Sequence, residues 1–73
     1  MPHITIKTYP DVTEAQKQEL TKAIIDNIVS ITGKNDAAIS IDIIEVPQEE
    51  WMDKVYDIDI KPDIERLYKK PGY

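Results

Sequence analysis

The stretch His3-Ile4-Thr5-Ile6-Lys7-Thr8-Tyr9 alternates in the manner of a strand, with Ile4, Ile6 and Thr8 on one side and His3, Thr5 and Lys7 on the other. A second alternating stretch runs from Ala38 to Val46, where Ile39, Ile41 and Ile43 oppose Ser40, Asp42 and Ile44, and Pro47 stops it. Between them, Tyr9-Pro10-Asp11 reads as a turn, and Thr13-Glu14-Ala15-Gln16 supplies an N-cap with glutamine at the capping-box position. Leu20, Ile24, Ile28 and Ile31 recur at helical spacing, and Gly33 stands where a left-handed C-cap ends a helix. A strand, a helix of about five turns and a second strand form a βαβ crossover, which predicts parallel strands and a right-handed connection. The fold class is α/β (α+β), a single βαβ unit in one domain over residues 1–73.

Two strands and one helix leave a sheet face uncovered and a sheet unfinished. The rest of the chain supplies little regular structure. Gln48-Glu49-Glu50-Trp51-Met52 is compatible with a helical turn, and Val55, Tyr56, Ile58 and Ile60 with a short extended segment. Pro62 suits the first position of a short closing helix with Ile64, Leu67 and Tyr68 as its stripe, Lys69-Lys70 near its negative end, and Pro71-Gly72 ending it. At 73 residues and 8.4 kDa a lone core is marginal, and the usual remedies are disulfides, a metal or association with other copies. There are no cysteines and the only histidine is His3, which leaves association. A homodimer is therefore expected, with a hexamer as the alternative.

The net charge of −5 offers no basic stripe for a nucleic-acid backbone. No apolar run approaches the roughly 20 residues that span a bilayer, and the N-terminus lacks the layout of a secretory signal. No nucleic acid and no membrane are expected as partners, and a cytoplasmic location is.

Chemistry points to Pro2, directly behind the initiator methionine. Removal of Met1 converts its nitrogen from a tertiary amide with no basicity into a secondary amine. A free α-amine has a pKa of about 7.7–8.0, and proline is intrinsically more basic, so an apolar site that lowers the value turns Pro2 into a general base near neutral pH. A chain that retains Met1 carries no such base. Many chains begin Met-Pro without catalytic meaning, so position alone leaves both readings open.

The Met1-Pro2 start, the strand-helix-strand order and the aromatic Trp51 shortly past the second strand resemble the tautomerase superfamily of the 4-oxalocrotonate tautomerase type. The resemblance spans the whole chain. It is closest to small bacterial phenylpyruvate-type tautomerases through Ile39-Ser40-Ile41, Trp51 after Pro47, and the ending Lys69-Lys70-Pro71-Gly72-Tyr73. It implies a cofactor-independent shuttle of a proton between oxygen and carbon of an enol–keto pair, with Pro2 as base and then acid. It also implies an apolar site near Pro2 at a subunit boundary. The family's two carboxylate-gripping arginines are replaced here by Val12 and Ser40, and the only arginine is Arg66. Without bidentate forks the expected substrate is mostly apolar with at most one carboxylate, as in an aryl enolpyruvate. The same absence counts against dehalogenase chemistry.

The resemblance makes Trp51 an aromatic wall beside Pro2, a role compatible with ordinary core packing. Tyr56 is a candidate second aromatic surface, and Ser40 a candidate polar contact by position. His3 reads as a surface or packing residue. Lys7 could meet a carboxylate if its face borders the pocket, although a solvated strand lysine is the simpler reading. Asp53, Asp57, Asp59 and Asp63 lack the spacing of a calcium loop and read as a solvated acidic face. Two other functions fit the same residues: a non-catalytic binding module, and a carbonyl chemistry in which Pro2 forms an iminium.

Overall fold

A computed structural model describes residues 1–73. Strand β1 spans His3–Thr8, helix α1 Glu14–Thr32 and strand β2 Ser40–Glu45. The strands pair in parallel with His3 opposite Ser40 and Thr8 opposite Glu45. The ladder gains one bond beyond each end: the Ser40 amide donates to the Pro2 carbonyl at 3.1 Å, and Val46 to Thr8 at 2.8 Å. The register aligns Ile4 with Ile41 and Ile6 with Ile43, so one face of the pair is isoleucine. The cleft above Ile41 and Ile43 is closed by Glu14, Lys17, Gln18 and Thr21, which places α1 over that face.

The ends of α1 follow from its sequence. The Gln16 amide donates to Thr13 Oγ1 at 3.1 Å and the Thr13 amide to Gln16 Oε1 at 2.9 Å, which completes the capping box. Gly33 closes the helix at φ 73°, a left-handed conformation that only glycine adopts without a steric penalty, and its amide reaches the Val29 carbonyl. The apolar stripe needs correction at its ends. Ile24 and Ile28 are half-buried with Lys17, Thr21 and Ile25, whereas Leu20 is 40% exposed and Ile31 80%. The stripe points partly away from the sheet toward an open side.

Three other expectations change. Strand β2 starts at Ser40 and not at Ala38, because Asn35 Oδ1 accepts from the Ala37 amide and caps a 3₁₀ turn over Asp36–Ala38. The expected extended segment at Val55 to Ile60 is helical: a 3₁₀ turn at Gln48–Glu50 leads into a π-helix over Met52–Ile60, which ends with the Lys61 amide donating to the Tyr56 carbonyl. The closing helix is a short 3₁₀ stretch, Lys61–Arg66, with Pro62 in its first turn, and it ends before Leu67 and Tyr68. Here the chain turns non-helical at Asp63.

Only Val46 (7% exposed) and Val55 (4%) are buried. The accessible area is 5686 Å², against roughly 4,600 Å² for a compact monomer of this mass. The radius of gyration is 13.9 Å, where about 11 Å is usual for this length. The molecule is open, and no helix is long and apolar enough to cross a membrane.

Candidate active site

Pro2 sits at the amino end of β1, half-buried, behind a Met1 that is 98% exposed. Its carbonyl is fixed by the Ser40 amide. Ser40 Oγ and His3 Nδ1 are hydrogen-bonded at 2.6 Å, and His3 Nε2 lies 3.4 Å from Thr5 Oγ1. This polar chain lies on the face opposite the isoleucines. Pro2 and Ser40 are thus brought together, through backbone and not through the serine hydroxyl.

Trp51 and Tyr56 gather elsewhere. The Trp51 ring meets Tyr9 edge-on at 5.1 Å between centroids, and its Nε1–H donates to the Tyr73 hydroxyl at 2.9 Å. Tyr56 packs against Tyr73 at 5.7 Å. The aromatic cluster is therefore built from the carboxyl end of β1, the start of the π-helix and the last residue of the chain. Tyr9 and Pro2 are separated by about 23 Å of extended strand, and Pro2 lines none of the clefts of the chain. One chain holds the proline and the aromatic wall, but not in one cleft.

Two clefts flank Trp51. One, of about 310 Å³, is lined by Lys7, Thr8, Tyr9, Asp11, Trp51 and Tyr73. The other, of about 510 Å³, lies between Thr5 and Lys7 of the sheet and Trp51, Val55, Asp59 and Ile60 of the C-terminal segment. Both fall in the size range of small-molecule sites. Lys7 is not a solvated strand lysine: its ammonium pairs with Asp59 across 52 residues of sequence, and its side chain is 30% exposed. Of the acidic residues Asp53, Asp57, Asp59 and Asp63, Asp59 faces Lys7 and Asp63 faces Arg66. No three potential metal ligands converge anywhere in the chain. Val12, at an expected arginine position, is half-buried and borders a separate cleft with Asp11, Gln16, Glu19, Leu20 and Ala23.

Tyr9, Tyr73 and Asp59 are the parts of this region that sequence reasoning missed. Tyr9, which the sequence places in a turn before Pro10, packs edge-on against Trp51. A usable signal existed for the helix itself: Trp51, Val55 and Ile60 are spaced by four and five, which suits i→i+5 hydrogen bonding and brings all three to the sheet.

A family model described as "Tautomerase enzyme" matches residues 2–55, from Pro2 through the βαβ unit to Val55. A protein named "Tautomerase PptA" from Enterobacter sp. (strain 638) is 38% identical over 74 residues, covering 100% of this chain and 97% of its own. A "Probable tautomerase" from Xylella fastidiosa (strain 9a5c) is 37% identical over 73 residues, covering 100% and 89%. "Tautomerase PptA" from Escherichia coli O127:H6 is 40% identical over 74 residues, covering 100% and 97%. With the parallel strands, the crossover helix and the proline-led β1 in place, these likenesses identify the chain as a member of the tautomerase family and its activity as that of a tautomerase, an isomerase.

Proposed function

We propose that the chain, as a self-associated enzyme freed of Met1, interconverts the enol and keto forms of a phenylpyruvate-like monocarboxylate, with Pro2 as acid and base. The observation that carries this reading is the placement of Pro2: a single cleavage frees an amine on a half-buried residue whose carbonyl is held by the Ser40 amide at the end of β1. The amine takes the enol hydroxyl proton, electron density moves from the oxygen through the double bond, and the carbon receives a proton from the ammonium. Base and acid are one atom, and no cofactor enters the cycle.

Pro2 and Trp51 lie in different regions of one chain, so the reading requires Pro2 of one subunit to meet the aromatic cluster of another. The accessible area supports this, since the excess over a compact monomer is of the order of the 800 Å² per partner of a standard interface. The lack of arginine at Val12 and Ser40 favours a substrate with one carboxylate. In this reading Trp51 bounds the aryl group, Tyr56 backs it through Tyr73, and Ser40 contributes through the hydrogen bond its amide donates to the Pro2 carbonyl.

The test is ketonisation of the enol of phenylpyruvate by protein whose intact mass lacks Met1, beside a Pro2→Ala variant. Turnover should fall by about 10²–10⁴-fold in the variant. A rate no faster than buffer from protein with a free Pro2 sinks the proposal and favours a binding module.

A further inference from the structure

Lys7 is the one cation that lines either cleft beside Trp51, and it lines both. β1 holds it on the sheet face turned toward the π-helix. Its partner Asp59 is 41% exposed, and the contact uses Oδ2 of the carboxylate and Nζ of the lysine. An ammonium has three donors, so two are left after Asp59 is served. A partly exposed ion pair of this kind is weak and exchanges partners at little cost. The rest of the larger cleft is apolar along one side, where Val55 is nearly inaccessible and Ile60 and Trp51 are half-buried. The Trp51 ring is fixed in orientation by Tyr9 and by its bond to Tyr73, so it presents a preset wall to a second ring.

We propose that the cleft between Thr5, Lys7, Trp51, Val55, Asp59 and Ile60 binds an aryl monocarboxylate, with Lys7 as the carboxylate anchor and Asp59 as the residue that restrains it. The ligand ring lies along Trp51, Val55 and Ile60, and its carboxylate takes the free donors of Lys7. Asp59 does two things. It holds the lysine side chain over the cleft, and its own charge repels a second carboxylate, for which the cleft offers no other cation. The site therefore prefers one carboxylate over two without any arginine. That such a ligand is also the substrate rests on the tautomerase reading above; its binding does not.

Trp51 is the only tryptophan of the chain, so its emission reports on the cleft directly. Phenylacetate, which carries the ring and carboxylate but no enol, is titrated into the Met1-free protein, its Lys7→Met and Asp59→Asn variants, with phenylacetamide as the uncharged control. The expected result is saturable binding of phenylacetate to the native protein, weakened at least 10-fold in Lys7→Met and tightened 3-fold or more in Asp59→Asn. Phenylacetamide should respond to neither substitution. The opposite signs matter, because a purely structural ion pair would loosen the cleft in both variants alike. Equal phenylacetate affinity in Lys7→Met, weaker binding in Asp59→Asn, or no binding to the native protein would each overturn the proposal. Lysine-dependent binding by a protein that fails to ketonise the enol would uphold this site and remove only the tautomerase mechanism proposed for it.

Discussion

The proposal for Pro2 rests on position more than on surroundings: once Met1 is removed its nitrogen is an amine, whatever lies around it. Ser40 was read as a candidate polar contact by position, and the contact the structure shows is made by its amide to the Pro2 carbonyl through the strand register. Lys7 and Asp59 were illegible as a pair, being 52 residues apart with nothing in either local sequence to join them. A second long-range pair makes a prediction. Lys17 of α1 donates to Glu45 of β2 at 2.6 Å, and that hydrogen bond, helped by the charges of Glu45 and Glu14 against partial desolvation, raises its pKa above the usual lysine value. A raised lysine stabilises the fold fully below its unfolded value and stops doing so as pH climbs through the folded one. The stability difference between native protein and Lys17→Met should therefore hold steady from about pH 7 to 9 and shrink above about pH 10.5. Urea midpoints measured across that range check it, and a gap that persists into strong alkali would remove Lys17 ionisation as its cause.

At the scale of elements, α1 was readable from end to end because both caps act locally. Thr13, Gln16 and Gly33 meet only their own helix. Thr13→Ala should cost about 1 kcal/mol, lowering the thermal midpoint by about 4–8 °C in a domain of this size. Unchanged melting would show that the capping box carries no net stability. The C-terminal segment was misread for the opposite reason. Tyr56, Ile58 and Ile60 alternate like a strand, yet Ile58 is 63% exposed, and the residues that meet the sheet are Trp51, Val55 and Ile60. Their spacing matches neither the strand period nor the ordinary helical one. The segment is tied to the sheet by the ion pair of Asp59 with Lys7 of β1, and that contact cannot be seen from the segment alone.

For the molecule as a whole, two buried side chains in 73 residues do not make a self-sufficient core. The sequence foretold this shortage through its length and lack of cysteine, and the exposed Leu20, Val29 and Ile31 of α1 are where it becomes visible. Pro2 lies at one end of β1 and the aromatic cluster at the other, so the proposed site needs a second copy to complete it. If each site joins Pro2 of one subunit to Trp51 of another, variants lacking either residue should complement each other. Pro2→Ala and Trp51→Leu proteins, each impaired alone, are mixed and allowed to exchange subunits, with hybrid formation followed by native mass. In freely exchanging dimers about a quarter of the sites regain both native residues, and ketonisation of the enol of phenylpyruvate should rise toward that fraction, above the mean of the two variants. Hybrids that form yet work no faster than that mean would contradict the shared site.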